Sequence, residues 1–284
     1  MSRVQVIDVF CGGGGFSQGA SDAGCEVIAA VDCWDEALEV HALNHGDTAH
    51  LKINCGEVSP ADVVAQLEPL IDRSRPLHLH CSPPCQQLTN ANRINPDVEV
   101  GLNLVKWSVG LKESLMPDSF TMEQVNHPAL KRYLVEQNLV FELVKMWKHG
   151  VPQGRKRIIV TDPPVFPLPE VDTEPSMAHT IGLPRGLEHR SSNARLVKTC
   201  DGIGYTVTSL CTRVRTPAAK EGEEPGPWRT LTFPEMLLFQ TFPSSYDLGE
   251  RQTIVKRKII GNAVPPLMAK VIMDEFQKSK VYSH

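Results

Sequence analysis

The chain has 284 residues, 41% of them apolar, and carries a net charge of -4 with a pI of about 6.2. That apolar share supports a large hydrophobic core and excludes global disorder, and no apolar run approaches the ~18 residues of a membrane helix. The slight acidity argues against a non-specific nucleic-acid coat and leaves room only for a locally positive cleft.

The N-terminus runs directly into a buried strand over residues 4–10, with no apolar leader of the secretory type. The strand ends in DVFCGGGGFSQG. Its four successive glycines let the backbone approach a ligand and take positive φ, and a short helix over residues 16–23 sets its N-terminus behind them. A dinucleotide fingerprint needs glycines at i, i+2 and i+5; counted from Gly12 the last place is Ser17, and from Gly13 it is Gln18. The nicotinamide fingerprint therefore fails, and no phosphate-loop lysine follows. A plain tight turn would also use these glycines. Phe10 offers a flat face to an adenine ring. A second strand over residues 27–31 ends at Asp32, where an acid can accept from ribose hydroxyls. An adenosine ligand without a pyrophosphate fits this combination best.

Residues 35–44 read as a helix, and SPADVVAQL opens another with Ser59 as N-cap and Pro60 at its first position. Residues 77–81 are the next strand, running into SPPC. Prolines lack the N–H and fix φ, so Cys85 sits on a stiff turn at a strand's carboxyl end. A lone cysteine there is commonly a small buried hydrophobe. The polar, glycine-free QQLTNANRINPD that follows has the length of a lid, and a thiolate would need cations such as Arg155 and Arg157. The eight cysteines show no C-x-x-C pair and no paired Cys/His spacing, which argues against a zinc site or disulfides and for a reduced, intracellular setting.

Residues 99–115 read as a helix and 119–125 as a strand that carries Glu123 to its end; an ordinary surface glutamate is the plain alternative. Residues 155–161 form a further strand. This alternation predicts an α/β fold with a doubly wound, mainly parallel Rossmann-like sheet and a site beyond the strands' carboxyl ends. From Asp162 the chain turns proline-rich and irregular, with short β-like pieces such as GYTVTSL. Regular patterning returns with LTFPEMLLFQ and a C-terminal helix. The expected organisation is a discontinuous catalytic domain, 1–161 with 259–284, and a smaller β-rich domain, 162–258.

Taken in order, these stretches resemble the cytosine-5 DNA methyltransferase family over most of the chain. DVFCGGGGFSQG resembles the family's first motif, which binds S-adenosylmethionine, and VDCWDEA its second. SPPCQQLT resembles the Pro-Cys loop, MEQV the Glu-Asn-Val motif and GVPQGRKRIIV the Gln-x-Arg-x-Arg motif. RTLTFPEMLLFQTFP and GNAVPP are similar to the ninth and tenth motifs. The resemblance implies Cys85 as nucleophile, Glu123 as the base-contacting acid, and Arg155 and Arg157 as supporting catalytic cations. It implies a cofactor site built from Phe10, Cys11, Gly12, Gly14, Gly15 and Phe16 in the first motif. Asp32, Cys33 and Trp34 come from the second, with Asn54, Pro84, Asn262 and Val264 completing the site. Gln86, Thr89, Gln153 and Thr206 are the implied substrate contacts.

The implied reaction is methylation of cytosine carbon 5 in double-stranded DNA by a monomer, on a base flipped out of the helix, without a metal or a membrane. The compartment would be the nucleus in a eukaryote, the cytoplasm or nucleoid in a bacterium, and the host cell for a virus. Residues 162–258 would be the target-recognition region, with Arg185, Arg190, Arg195, Lys198, Arg213 and Arg215 as candidate contacts. Three positions depart from the family: Gln124 replaces Asn, Asn54 stands for a cofactor-contacting Asp, and Thr89 replaces Ser. A tRNA-modifying branch shares nearly all these motifs, but its Cys-Phe-Thr tripeptide is absent, Cys211-Thr212-Arg213 being the nearest run. A catalytically silent binding protein is the alternative that Gln124 and Asn54 motivate.

Overall fold

The chain opens on strand β1 (Gln5–Val9), whose every residue is buried, as befits a strand with neighbours on both sides and helices on both faces. The computed structural model describes residues 2–84, 98–191, 197–208, 212–220 and 223–282. After β1 come α1 (Gly15–Asp22), β2 (Glu26–Asp32), α2 (Asp35–Asn44), β3 (Ala49–Lys52) and α3 (Pro60–Leu67). They are followed by β4 (Leu77–Cys81), α4 (Val98–Leu115), β5 (Ser119–Gln124), α5 (Pro128–Glu136), β6 (Phe141–Lys145) and β7 (Lys156–Asp162). These strands form one seven-stranded sheet in the order β3-β2-β1-β4-β5-β7-β6. β7 alone runs against its neighbours, pairing antiparallel with both β5 and β6.

The rest of the chain adds α6 (Met177–Ile181), β8 (Glu188–Ser191), β9 (Lys198–Thr199), β10 (Thr212–Arg215), β11 (Arg229–Thr230), α7 (Phe233–Phe239), α8 (Thr253–Asn262) and α9 (Pro266–Lys278). β8 to β11 make a four-stranded antiparallel sheet in the order β11-β10-β8-β9. The expected fold class, a mainly parallel doubly wound sheet with a second, smaller β-rich part, is the one observed.

Alternate residues of the central strands face two cores. Ile7, Val9, Leu79 and Met122 join α3, α4 and α5 on one face, while Val6, Val27 and Ile159 join α1 and α9 on the other. A third core ties Ala37 and Val40 of α2 to Met177, Phe239 and Ile259. The small sheet thus shares its packing with the large one, and α8 runs across the expected boundary at residue 259. Among the described residues no helix is long and apolar enough to cross a membrane, and no group of His, Cys, Asp or Glu is arranged to hold a metal.

In the first half of the chain three elements escaped the pattern reading, β3, α5 and β6, and beyond it α6 lies in the stretch read as irregular. α5 has a legible start, with Pro128 at its first position and the His127 side chain accepting from Ala129 N–H. β6 is an edge strand with three exposed side chains, so its apolar periodicity is weak. GYTVTSL is not a strand over its described part. Its polar groups go elsewhere: Gly154 N–H donates to Gly204 C=O and Val207 N–H to the Gln153 side chain. The strand expected at 155–161 begins one residue later, leaving Arg155 on the preceding turn.

Candidate active site

At the end of β1 the backbone turns left-handed. Phe10, Gly12 and Gly14 have φ of 60°, 53° and 89°. A left-handed bulky residue such as Phe10 is strained and persists only where its surroundings over-determine it. Here Cys11 N–H donates to Val31 C=O, Ser82 Oγ–H to Phe10 C=O, and Gly12 N–H to Asp32 Oδ2 at 2.8 Å. The other Asp32 oxygen accepts from Trp34 N–H at 2.9 Å. Asp32 therefore braces the glycine turn and still has lone pairs for a ligand hydroxyl. A Cβ on Gly12 would meet nothing within 4 Å, so the turn is open on the side of a cavity of about 320 Å³. A Cβ on Gly13 would lie 2.4 Å from Ile259, and one on Gly15 2.2 Å from Val264 C=O. The run of glycines serves two ends: an open cradle, and close approach of the last helices.

The opposite wall of this cavity is the end of β5. Glu123 is buried, and Arg157 Nε lies 2.8 Å from its Oε1 while Arg155 Nη2 lies 3.9 Å away. The antiparallel direction of β7 causes this meeting, because it sets the start of β7 beside the end of β5. Arg155 is also fully enclosed, donating to the carbonyls of Val207, Gly261 and Ala263. It ties the small sheet's approach segment and the turn before α9 to the acid. Gln124, one residue beyond Glu123, donates to Pro83 C=O at 2.9 Å, and its own oxygen turns back to accept from Val125 N–H. The extra methylene relative to Asn is taken up in that fold-back, and the side chain grips the turn leading to Cys85.

The expected cofactor residues Phe10, Cys11, Gly12, Phe16, Asp32, Cys33, Trp34, Asn54, Pro84, Asn262 and Val264 all line the one cavity, together with Glu123, Arg155 and Arg157. Gly14 and Gly15 do not line it; they pack against Tyr246 and Val264 behind the turn. Gln153 does not line it either. It is fully buried, donating to Phe239 C=O and Gln240 Oε1 and accepting from Val207 N–H. Thr206 lies half-buried beside that pinned residue, away from the cavity lining. Cys85, Gln86 and Thr89 lie outside the described residues, and Pro84 is the described neighbour of Cys85.

Residues missed in the sequence include Ile53, Leu104 and Lys258, with the Lys258 ammonium 4.3 Å from the Trp34 ring centroid. Leu104 and Lys258 reach the cavity from α4 and α8 with no local signal, whereas Ile53 adjoins the expected Asn54. Cys11, Cys33 and Cys55 also line it. Burial, the first cause for each, raises all three thiols, Cys55 to about 12, so they stay protonated and poorly nucleophilic near neutral pH.

Comparison with known proteins agrees with this geometry. The model of the C-5 cytosine-specific DNA methylase family matches residues 4–162 and 177–278. The type II methyltransferase M.HindV of Haemophilus influenzae is 24% identical over 99% of each chain. The DNA (cytosine-5)-methyltransferase PliMCI of Paracentrotus lividus is also 24% identical, over 94% of this chain, which spans only 17% of that longer protein. Among solved structures, the S. pombe Dnmt2 methyltransferase aligns over 97% of this chain and 99% of its own, with a TM-score of 0.68 at 16% identity, a likeness of fold. With its glycine turn, its Glu–Arg cluster and its family match running through both sheets, the chain belongs to the C-5 cytosine-specific DNA methylases.

Proposed function

We propose that the protein transfers a methyl group from S-adenosylmethionine to carbon 5 of cytosine in double-stranded DNA, through a covalent adduct of Cys85. One observation carries this: a single cavity is walled on one side by the glycine turn with Asp32, and on the other by Glu123, Arg157 and Pro84. An adenosine moiety suits the first wall, with Phe10, Trp34 and Ile53 as apolar faces and Asp32 as hydroxyl acceptor. Bound there, S-adenosylmethionine supplies an electrophilic methyl group on sulfur.

The chain's own residues then divide the work. Carbon 5 of cytosine is a poor nucleophile, and addition of the Cys85 thiolate to carbon 6 pushes an electron pair into the ring and makes carbon 5 enamine-like. Glu123 holds a proton at ring N3, where that electron density gathers, and Arg157 orients the carboxyl and donates to the exocyclic oxygen. After carbon 5 has taken the methyl group, its proton passes to solvent, the electron pair left behind re-forms the carbon 5–carbon 6 double bond, and the carbon 6–sulfur bond breaks with its pair leaving on the thiolate. The ring faces must be exposed for this, so the base leaves the stack.

Residues 162–258 are assigned to target recognition. Glu188, Arg190, Arg213 and Arg215 share one face of the small sheet, and the Arg190 and Arg215 guanidiniums lie 4.6 and 4.5 Å from the Trp228 ring centroid. Labelled methyl transfer to duplex DNA and to tRNA, measured side by side, tests the substrate. Label in DNA cytosine is expected, and label in tRNA alone overturns the DNA reading. Trapping on duplex DNA containing 5-fluorocytosine tests the adduct: the unaltered protein stalls covalently and Cys85→Ser does not. Near-normal turnover of Cys85→Ser would remove the thiol from the mechanism.

A further inference from the structure

The glycines after β1 have no side chains for packing to hold, and glycine loses more backbone entropy on ordering than any other residue. The turn is therefore held by bonds to its backbone. Asp32 fixes Gly12 N–H. The peptide plane between Gly13 and Gly14 is gripped at both ends. Its N–H, that of Gly14, donates to Cys11 C=O at 3.0 Å, and its carbonyl, that of Gly13, accepts from the Tyr246 hydroxyl at 2.6 Å. Tyr246 is only 6% exposed. It comes from 233 residues further along the chain, in the part assigned to target recognition.

The direction of that bond follows from its atoms. A carbonyl oxygen only accepts, so the single hydroxyl proton goes to Gly13, and the hydroxyl oxygen is left to accept from His45 Nε2–H at 3.2 Å. Neighbours on both sides of Tyr246 fix the ring in place. Phe242 packs on it with ring centroids 4.6 Å apart, and reaches to 3.3 Å from the place a Cβ on Gly15 would take. Asn44 of α2 pairs twice with the backbone of Asp247, donating to its C=O at 2.8 Å and accepting from its N–H at 2.9 Å. Arg251 forms an ion pair with Glu39 of α2. The Tyr246 hydroxyl also stands 2.6 Å from the place of a Cβ on Gly14, so that position excludes a side chain by contact as well as by its φ of 89°.

We infer that Tyr246 is a positioning residue of the cofactor turn: its hydroxyl keeps the Gly13–Gly14 peptide from turning over, and so preserves the wall that Gly12 and Gly13 present to the cavity. A flip of that plane breaks both of its bonds at once, and glycines on either side of it place no steric barrier in the way. Without the hydroxyl only the Cys11 bond opposes the flip, and a buried carbonyl loses its donor. The inference rests on the reading of this wall as the adenosine site. It assigns part of that site's rigidity to a segment outside residues 1–161 and 259–284. The same segment follows α7, whose Phe239 C=O and Gln240 side chain accept from Gln153. One continuous stretch thus braces both the glycine turn and the approach to the small sheet.

Tyr246→Phe keeps the ring and removes the hydroxyl. Hydrogen exchange of the ligand-free protein, read by mass spectrometry over residues 10–16, should quicken at least about fivefold while β1 stays protected in both proteins, the sign of an intact fold. Unchanged exchange in the turn overturns the inference. Calorimetry should show S-adenosylhomocysteine bound about five- to tenfold more weakly, the range that one buried hydrogen bond supports. KM for S-adenosylmethionine should rise in step, with kcat at saturating donor within about twofold of the unaltered protein. A lowered Tm with unchanged affinity would make the hydroxyl merely structural and overturn the positioning role, as would a fall in kcat at unchanged KM. Failure of the unaltered protein to bind S-adenosylhomocysteine would count against the proposed function, leaving the exchange result to decide Tyr246.

Discussion

Gly19 lies inside α1, where helix propensity alone makes Ala better than Gly by about 1 kcal/mol. The tertiary structure reverses that sign. A Cβ at Gly19 would stand 2.1 Å from Pro266 C=O, 2.6 Å from Ala269 Cβ and 2.8 Å from Lys270 N. Two of these are backbone atoms of α9 and cannot rotate away, so the helices must part by about an ångström to restore van der Waals contact. Phe16, Ala20, Met268 and Phe276 pack in the same core and would lose close contact together. Overpacking of this kind costs about 3 kcal/mol, which leaves Gly19→Ala net destabilised by about 2 kcal/mol after the propensity gain. For a chain of this size that is a fall in Tm of roughly 4–8 °C. Thermal unfolding followed by circular dichroism measures it. An unchanged or raised Tm would refute the claim that α1 and α9 meet backbone to backbone.

Three further outcomes are expected. Gln124→Ala removes the donor to Pro83 C=O and the acceptor for Val125 N–H; methyl transfer should drop at least tenfold with a stability loss of about 1–2 kcal/mol, and unchanged turnover would show that the grip on the Cys85 turn is dispensable. Asp32→Ala leaves Gly12 N–H and Trp34 N–H without their acceptor, so S-adenosylhomocysteine affinity measured by calorimetry should fall at least tenfold. Folding should also weaken in acid. His41, His78 and His80 are buried and their protonation is suppressed, to about 2 for His41 and about 3 for His78, so stability is full above pH 6.5 and declines as pH falls toward those values. Each ring loses about 1.4 kcal/mol over the interval from pH 7.5 to 5.5, and His45 and His189, both lowered by burial to about 4, add to the loss. Together they outweigh the opposite trend of Asp8, whose carboxyl burial raises to about 7, for a net loss of at least about 2 kcal/mol; a flat urea midpoint over that interval would contradict it.

Local chemistry made much of the protein legible before any fold was drawn. The glycine run after an apolar strand, the Asp at the end of the next strand, and the Ser59 cap are near-neighbour patterns; each is found where its spacing placed it. The seven ordered motifs carried the family for the same reason: order along the chain survives in the sequence. What the sequence left undecided depends on contacts between distant residues. Nothing local to GVPQGRKRIIV says that β7 runs antiparallel, yet that direction is what brings Arg155 and Arg157 to Glu123. Gln153, in the same motif, is turned inward to Phe239 and Gln240, eighty-odd residues away. Gly15 and Gly19 look like flexibility or poor helix formers until the turn at Val264 is docked on the first and α9 on the second. Spacing along a chain fixes which side chains share a strand or a helix face. Strand direction and helix docking, settled only when the whole core packs, decide which of those faces meet.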